Sequence, residues 1–260
     1  MSTYVAEQKM TQRNGSMFGR MATLLYSMVC YLIFFVTFLY AIGFVGNLFV
    51  PKSIDIGAMT PFRQALLIDL VLLAVFAVQH SGMARPAFKA WWTRIIPRPM
   101  ERSTYVLFAS SALVLLFWQW RPLPGVVWQV DNMIAYWALY TLSGLGWLIV
   151  LFSTFLINHF DLFGLRQGFM HAQGQTYKDL GFRTPVLYKM IRHPIMLGFH
   201  IAFWATPIMT VGHLLFAGMT TAFMLLAIQL EERDLVAYFG DAYRTYRRQT
   251  PMLIPGLRRK

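Results

Sequence analysis

Charge is scarce in this chain, and negative charge scarcest. Only 13% of its 260 residues are Asp, Glu, Lys or Arg, with 11 acids set against 23 Lys plus Arg. Hydrophobic residues make up 57% and the mean hydropathy is +0.49, more apolar surface than a soluble core of this length can absorb. Cysteine is nearly missing as well. Cys30 stands alone in an apolar stretch, which excludes an internal disulfide, a CxxC redox pair and a thiolate zinc site. Neither HxxH nor HExxH spacing occurs, so the sequence makes no case for a metal centre. No internal repeat or low-complexity tract is present, and residues 1–260 read as one domain. The net charge of +12 raises nucleic acid as a partner. The 16% aromatic content and the long charge-free runs point instead to a lipid bilayer whose anionic leaflet attracts Lys and Arg.

What the chain has in abundance is membrane-length apolar sequence. After a polar tail over 1–20, Met21 to Val50 carries no charge, enough for one span, since a bilayer core needs about 20 helical residues. No Ala-x-Ala pattern follows it, so it reads as retained and not as a cleaved signal. A second span is expected from Pro61 to about Met83, a third from Ser103 to Trp120 and a fourth from about Asn132 to Ile157. Pro194 to Leu230 is a charge-free run of 37 residues, too long for one helix. Two helices of roughly 17 residues turning near Thr210, Gly212 and His213 are expected there. The fold class is therefore all-α: a polytopic bundle of four spans over 21–157, then a region 158–260 containing the hairpin 194–230 and a cytoplasmic C-terminal helix.

Twenty of the 23 basic residues fall within 1–20, 84–102, 158–194 and 231–260, leaving Lys52, Arg63 and Arg121 between them. The positive-inside rule makes all four stretches cytoplasmic, and four spans plus a returning hairpin satisfy that parity. Both termini are then expected on the cytoplasmic side. The sequence is silent on oligomeric state.

Polar residues inside spans are costly and are candidates for function, although helix-to-helix hydrogen bonding is the plainer explanation. Asp69 is the one acid well inside an expected span; it either pairs with Arg63 or a polar neighbour, or takes part in chemistry. His80 lies 11 residues on, about 16 Å along the helix, too far for direct bonding, at the inner mouth of the second span. Its imidazole suits a base near neutrality. Arg192-His193-Pro194 opens the hairpin, and Pro at a helix start leaves backbone donors facing the cytoplasm, a site for a carboxylate. Glu231 and Glu232 close the hairpin; they are either a solvated end or partners for hydroxyls and an ammonium group. Tyr243 and Tyr246 share one side of a short helix with Arg247 nearby, and an amphipathic helix on lipid headgroups competes with a binding role.

Arg192-His193-Pro194-Ile195-Met196-Leu197-Gly198, the apolar hairpin, Glu231-Glu232-Arg233-Asp234-Leu235 and Phe239-Gly240-x-x-Tyr243-x-x-Tyr246 together resemble the cofactor region of membrane isoprenylcysteine carboxyl methyltransferases and their bacterial relatives. Met196 stands where that family often has Tyr. The N-terminal part, with Gln79-His80-Ser81, Met83-Ala84-Arg85 and Glu101-Arg102-Ser103-Thr104-Tyr105, is similar to the NnrU-related branch, and the two halves together resemble bacterial methanethiol S-methyltransferases. The resemblance implies S-adenosylmethionine as cofactor, held by Tyr188, Arg192, His193, Pro194, Gly198, Glu231, Glu232, Tyr243, Tyr246 and Arg247. It implies a small thiol as acceptor, methanethiol becoming dimethyl sulfide, with His80 removing the thiol proton and Asp69 polarising a relay or playing a structural part. The alternative is an NnrU-type haem-binding isomerase or nitric-oxide-metabolism protein with His80 as an axial ligand.

Overall fold

The computed structural model describes residues 16–256; most of the expected cytoplasmic tail 1–20 lies outside them. Helix α1 (Met17–Gly46) starts where the Ser16 hydroxyl accepts from the Gly19 N–H and stops where Asn47 turns left-handed at φ 54°, a geometry Asn tolerates better than most residues. Then follow α2 (Phe62–Ala84), the short α3 (Pro86–Trp92), α4 (Arg98–Gln119), strand β1 (Val126–Gln129) and α5 (Met133–Ile157). Two short helices, α6 (His159–Leu162) and α7 (Leu165–Ala172), lead to α8 (Leu187–Met190), α9 (Pro194–Trp204), strand β2 (Ile208–Thr210), α10 (Val211–Phe239) and α11 (Asp241–Gln249). Five of these helices, α1, α2, α4, α5 and α10, are long and apolar enough to cross a membrane, and the chain is a multi-pass membrane protein.

The four expected spans are present within a few residues of their expected limits. The hairpin differs from the two equal arms anticipated: its first arm, α9, has 11 residues and its second, α10, has 29. Pro207 is the cause. The residue before a proline is biased out of the helical region, so α9 ends at Trp204, the chain turns where the Thr206 N–H donates to the Trp204 carbonyl at 3.0 Å, and only 208–210 are extended, as β2. At 1.5 Å per helical residue α9 covers only about 16 Å, about half the thickness of a bilayer core, and the chain after it is non-helical up to the start of α10. Irregular backbone at that depth must be satisfied by protein. The Val130 N–H donates to the Pro207 carbonyl at 2.9 Å, the Trp128 indole to Thr206 at 3.2 Å, and β1 pairs antiparallel with β2. His213 Nε2 covers the Phe203 carbonyl at 2.8 Å.

Sidedness follows from these contacts. The loops after α1, α4 and α9 meet at one end, where the Trp120 indole donates to Ile54 at 3.0 Å, the Thr210 hydroxyl to Asp55 at 2.5 Å and the Gly212 N–H to Leu123 at 3.0 Å. At the opposite end Arg102 Nε donates to the Leu162 carbonyl at 2.7 Å and Arg85 pairs with Asp234 at 2.9 Å. Between the two ends lies an aromatic core in which Phe44, Phe117, Trp120, Phe203 and Phe216 pack ring on ring. Helix α9 is pressed onto α5 through paired glycines. A Cβ on Gly198 would fall 2.7 Å from the Gly146 carbonyl oxygen, and one on Gly146 would fall 2.6 Å from the Ala202 nitrogen.

Candidate active site

Helices α2 and α10 run parallel, because Phe76 meets Phe223 with ring centroids 6.0 Å apart while nearer their C-terminal ends Arg85 meets Asp234. His80 sits between these two contacts. Phe76 stacks on its imidazole at 5.2 Å, Phe223 meets it edge-on at 6.2 Å and Tyr105 of α4 lies at 5.3 Å. The Tyr105 hydroxyl is 3.0 Å from each ring nitrogen of His80 and 3.3 Å from its carbonyl oxygen. In turn the Arg102 guanidinium lies 5.2 Å from the centre of the Tyr105 ring. Beside them is Lys89 of α3, whose ammonium is made less basic by burial and then by the nearby Arg102, since a cation sheds its proton more readily where water is scarce and another positive charge is close.

A second cluster forms where the end of α10 meets the start of α9. Arg192 Nε donates to Glu232 Oε1 at 2.6 Å, and His193 Nε2 lies 3.0 Å from the same oxygen. Arg192 also donates to the carbonyls of Arg247 and Thr250, at 2.9 and 2.6 Å, so α11 and the chain after it are tied to the start of α9. The backbone joins in, with the Arg192 and His193 N–H groups donating to Pro251 and Met252. The Tyr246 hydroxyl donates to the Tyr188 carbonyl at 2.5 Å, and Phe182 packs against Tyr243 and Tyr246. Burial raises the pKa of all three tyrosine hydroxyls: Tyr246 is pushed up to about 12, and Tyr188 and Tyr243 are raised further with help from Glu231 and Glu232. They stay protonated and act as hydrogen-bonding groups, not as bases.

The two acids behave differently. The Glu232 side chain is 10% exposed and consumed by Arg192 and His193. Glu231 is 50% exposed, and its Oε2 lies 3.8 Å from His193 Nδ1. It also lies close enough to Tyr105 and Tyr188 to influence both electrostatically. Glu231 therefore stands between the His80 cluster and the Arg192 cluster, eight residues or about 12 Å along α10 from Phe223. The Tyr188 hydroxyl is buried and has no hydrogen-bond partner, which costs free energy unless something else meets it. Arg247 is 4.0 Å from Glu232 with its side chain half exposed.

Asp69 and Gly198 lie away from both clusters, whereas Pro194 follows His193 directly. Asp69 is fully buried, and its Oδ1 accepts the Arg121 backbone N–H at 2.9 Å; its partner is Arg121 and not Arg63, at the end of the bundle away from His80's helix terminus. Pro194 is buried at the first turn of α9. Gly198 is occupied by the contact with α5. Tyr105 was visible in the sequence as part of Glu101-Arg102-Ser103-Thr104-Tyr105 but carried no assigned role, because nothing local shows that it faces a residue 25 positions earlier. A groove of about 990 Å³ runs between α1 and α7 past Leu25, Met28, Phe160 and Arg166; it touches neither cluster.

Comparison with known proteins bears on what this arrangement does. The chain is 55% identical over 254 residues to the methanethiol S-methyltransferase of Crocosphaera subtropica, covering 98% of this chain and 99% of that one. It is 58% identical to methanethiol S-methyltransferase 2 of Bradyrhizobium diazoefficiens, over 93% of each chain. With the methanethiol S-methyltransferase of Mycobacterium tuberculosis the identity is 56%, over 91% of this chain and 97% of that one. No family model matches the chain, and no solved structure matches it.

Proposed function

The chain belongs to the methanethiol S-methyltransferase family, and on that premise we propose how its residues carry out the reaction. It is an enzyme that methylates methanethiol to dimethyl sulfide using a methyl donor, and we assign S-adenosylmethionine as that donor. The residues suit such a ligand. Glu231 offers an unspent carboxylate for an ammonium group or ribose hydroxyls, the unpartnered Tyr188 hydroxyl offers a donor and an acceptor, and Arg247 offers a cation for a carboxylate. Arg192, His193 and Glu232 hold the floor of the site by bonding one another, with Pro194 fixing the start of α9 and Tyr243 and Tyr246 packed behind.

When bound, the donor supplies an electrophilic methyl group on a sulfonium. The acceptor must be a thiolate, and an alkyl thiol is mostly protonated near neutral pH. His80 takes that proton, a contribution on the order of 10² to 10⁴ in rate for a well-placed base. Tyr105 orients the imidazole, and Phe76 and Phe223 surround it with apolar surface suited to a small lipid-soluble thiol arriving from the bilayer. Further acceleration comes from holding the two sulfurs in line. Asp69 is assigned a structural part, anchoring the start of the loop after α4. The arrangement supporting this reading most is α10 itself, which carries Phe223 at the His80 cluster and Glu231 at the Arg192 cluster on one rigid element. Calorimetric titration of the purified protein with S-adenosylhomocysteine tests the donor. Saturable binding is expected; folded protein that binds none of it would contradict the assignment.

The membrane is assigned as the bacterial inner membrane, with the end carrying Arg85, Arg102, Arg192 and Glu231 in the cytoplasm. Support comes from the basic residues concentrated at that end and from the donor being a cytosolic metabolite.

A further inference from the structure

We infer that Phe76 and Phe223 set the size of the thiol this enzyme accepts, and that shortening Phe223 widens its substrate range to longer alkanethiols. The inference rests on the assignment of His80 as the group that meets the thiol. A thiol sulfur that delivers its proton to His80 must come within hydrogen-bond reach of the imidazole, so its alkyl group lies against whatever surrounds that ring. Three aromatic rings do. Phe76 covers one face at 5.2 Å and nearly parallel, with an interplanar angle of 26°. Phe223 closes the edge at 6.2 Å and 78°, and Tyr105 lies at 5.3 Å and 45°. Phe76 and Phe223 also touch each other at 6.0 Å, so the wall is continuous from α2 to α10.

The wall is held from both helices. Arg85 and Asp234 clamp the same helix pair at 2.9 Å beyond His80, so α10 cannot swing away from α2 to admit a larger group without breaking that ion pair. Phe76 is less suited to trimming, because it stacks on the imidazole and helps to orient it. Phe223 meets the ring only by its edge and contributes bulk. Balance of the transfer places no demand on the alkyl group: the thiol loses one proton, its sulfur forms a bond to the donor methyl, and the breaking bond leaves its electron pair on the donor sulfur. Size selection must therefore come from the walls.

The test compares kcat/KM for methanethiol, ethanethiol and 1-propanethiol in the wild type, Phe223→Ala and Phe223→Leu, with His80→Ala assayed in parallel and S-adenosylhomocysteine affinity measured for each. A hydrophobic pocket discriminates by about 10- to 200-fold per methylene. The preference for methanethiol over 1-propanethiol should fall at least tenfold in Phe223→Ala and by less in Phe223→Leu, with cofactor affinity unchanged. If Phe223→Ala is poorly folded, Phe223→Leu alone should still show a shift of a few-fold. An unchanged preference in folded variants, alongside a His80→Ala enzyme that has lost turnover, would overturn the wall while leaving the base in place. An unchanged preference together with a fully active His80→Ala enzyme would overturn both.

Discussion

The Tyr105 hydroxyl lies 3.0 Å from the ring nitrogens of His80 although the two residues belong to different helices, α2 and α4. One hydroxyl cannot donate to both nitrogens at once. With its proton on the His80 carbonyl, 3.3 Å away, its lone pairs accept the imidazole N–H and leave the other nitrogen free to take a proton. Tyr105 is thus a positioning residue. Tyr105→Phe removes about 1 kcal/mol of hydrogen bonding and should lower kcat about fivefold while S-adenosylhomocysteine affinity is retained. In the His80→Ala background the same change should cost almost nothing further, since two residues acting as a unit are not additive. Equal losses in both backgrounds would show that Tyr105 acts independently of His80.

Glu231 and Glu232 are adjacent but should fail in different ways. Glu231→Ala removes a half-exposed carboxylate from the mouth of the site, so cofactor affinity should drop with the melting temperature little changed. Glu232→Ala strands the Arg192 guanidinium and His193. Breaking a buried pair by removing one partner costs roughly 3 to 5 kcal/mol, so that variant should melt several degrees lower in detergent. The pairing of calorimetry with thermal unfolding separates them, and a Glu231 variant that binds like the wild type would remove Glu231 from the site.

Gly198 is expected to affect stability before chemistry. Adding its Cβ 2.7 Å from the Gly146 carbonyl and 2.8 Å from Val150 Cγ2 overpacks the α5–α9 contact, at about 1 to 3 kcal/mol. Gly198→Ala and Gly146→Ala should each lower the melting temperature, and the double variant should be less destabilised than the sum, because both act on one interface. Additive losses would mean the two glycines serve separate contacts.

Orientation is open to labelling in intact cells. Cysteines replacing residues near Lys52 and Arg121 should react with an impermeant reagent from outside, whereas those near Arg94 and Arg183 should be protected until the membrane is opened. Reaction at position 183 from outside would invert the arrangement.

Much of the architecture could be read from residues alone because the signals are one-dimensional. Charge-free runs of membrane length mark the four spans, and the bias of basic residues groups the loops into the two sets that the structure brings to opposite ends. Arg192-His193 and Glu231-Glu232 lie at the two ends of the expected hairpin, and the structure brings them together. What escaped the sequence depends on registers between helices. The hairpin arms are unequal because Pro207 halts α9 early, and the length of an apolar run does not show where within it the chain turns. Asp69 is paired by a backbone N–H at position 121, and backbone partners leave no trace in side-chain patterns. The division of labour between Glu231 and Glu232 rests on which face of α10 turns toward Arg192, and Gly198's part on a glycine 52 residues away. None of these is encoded by spacing.

Removal of the thiol proton by His80 is tested most directly by the rate of methanethiol methylation in His80→Ala against the wild type as pH is raised. The variant should keep its affinity for S-adenosylhomocysteine and lose about 10² in turnover near neutral pH. As pH approaches the thiol's own pKa, thiolate forms without help, so the ratio of wild-type to variant rate should shrink steadily. A well-folded His80→Ala enzyme with wild-type turnover at neutral pH, or with a loss that stays constant as pH rises, would contradict the account.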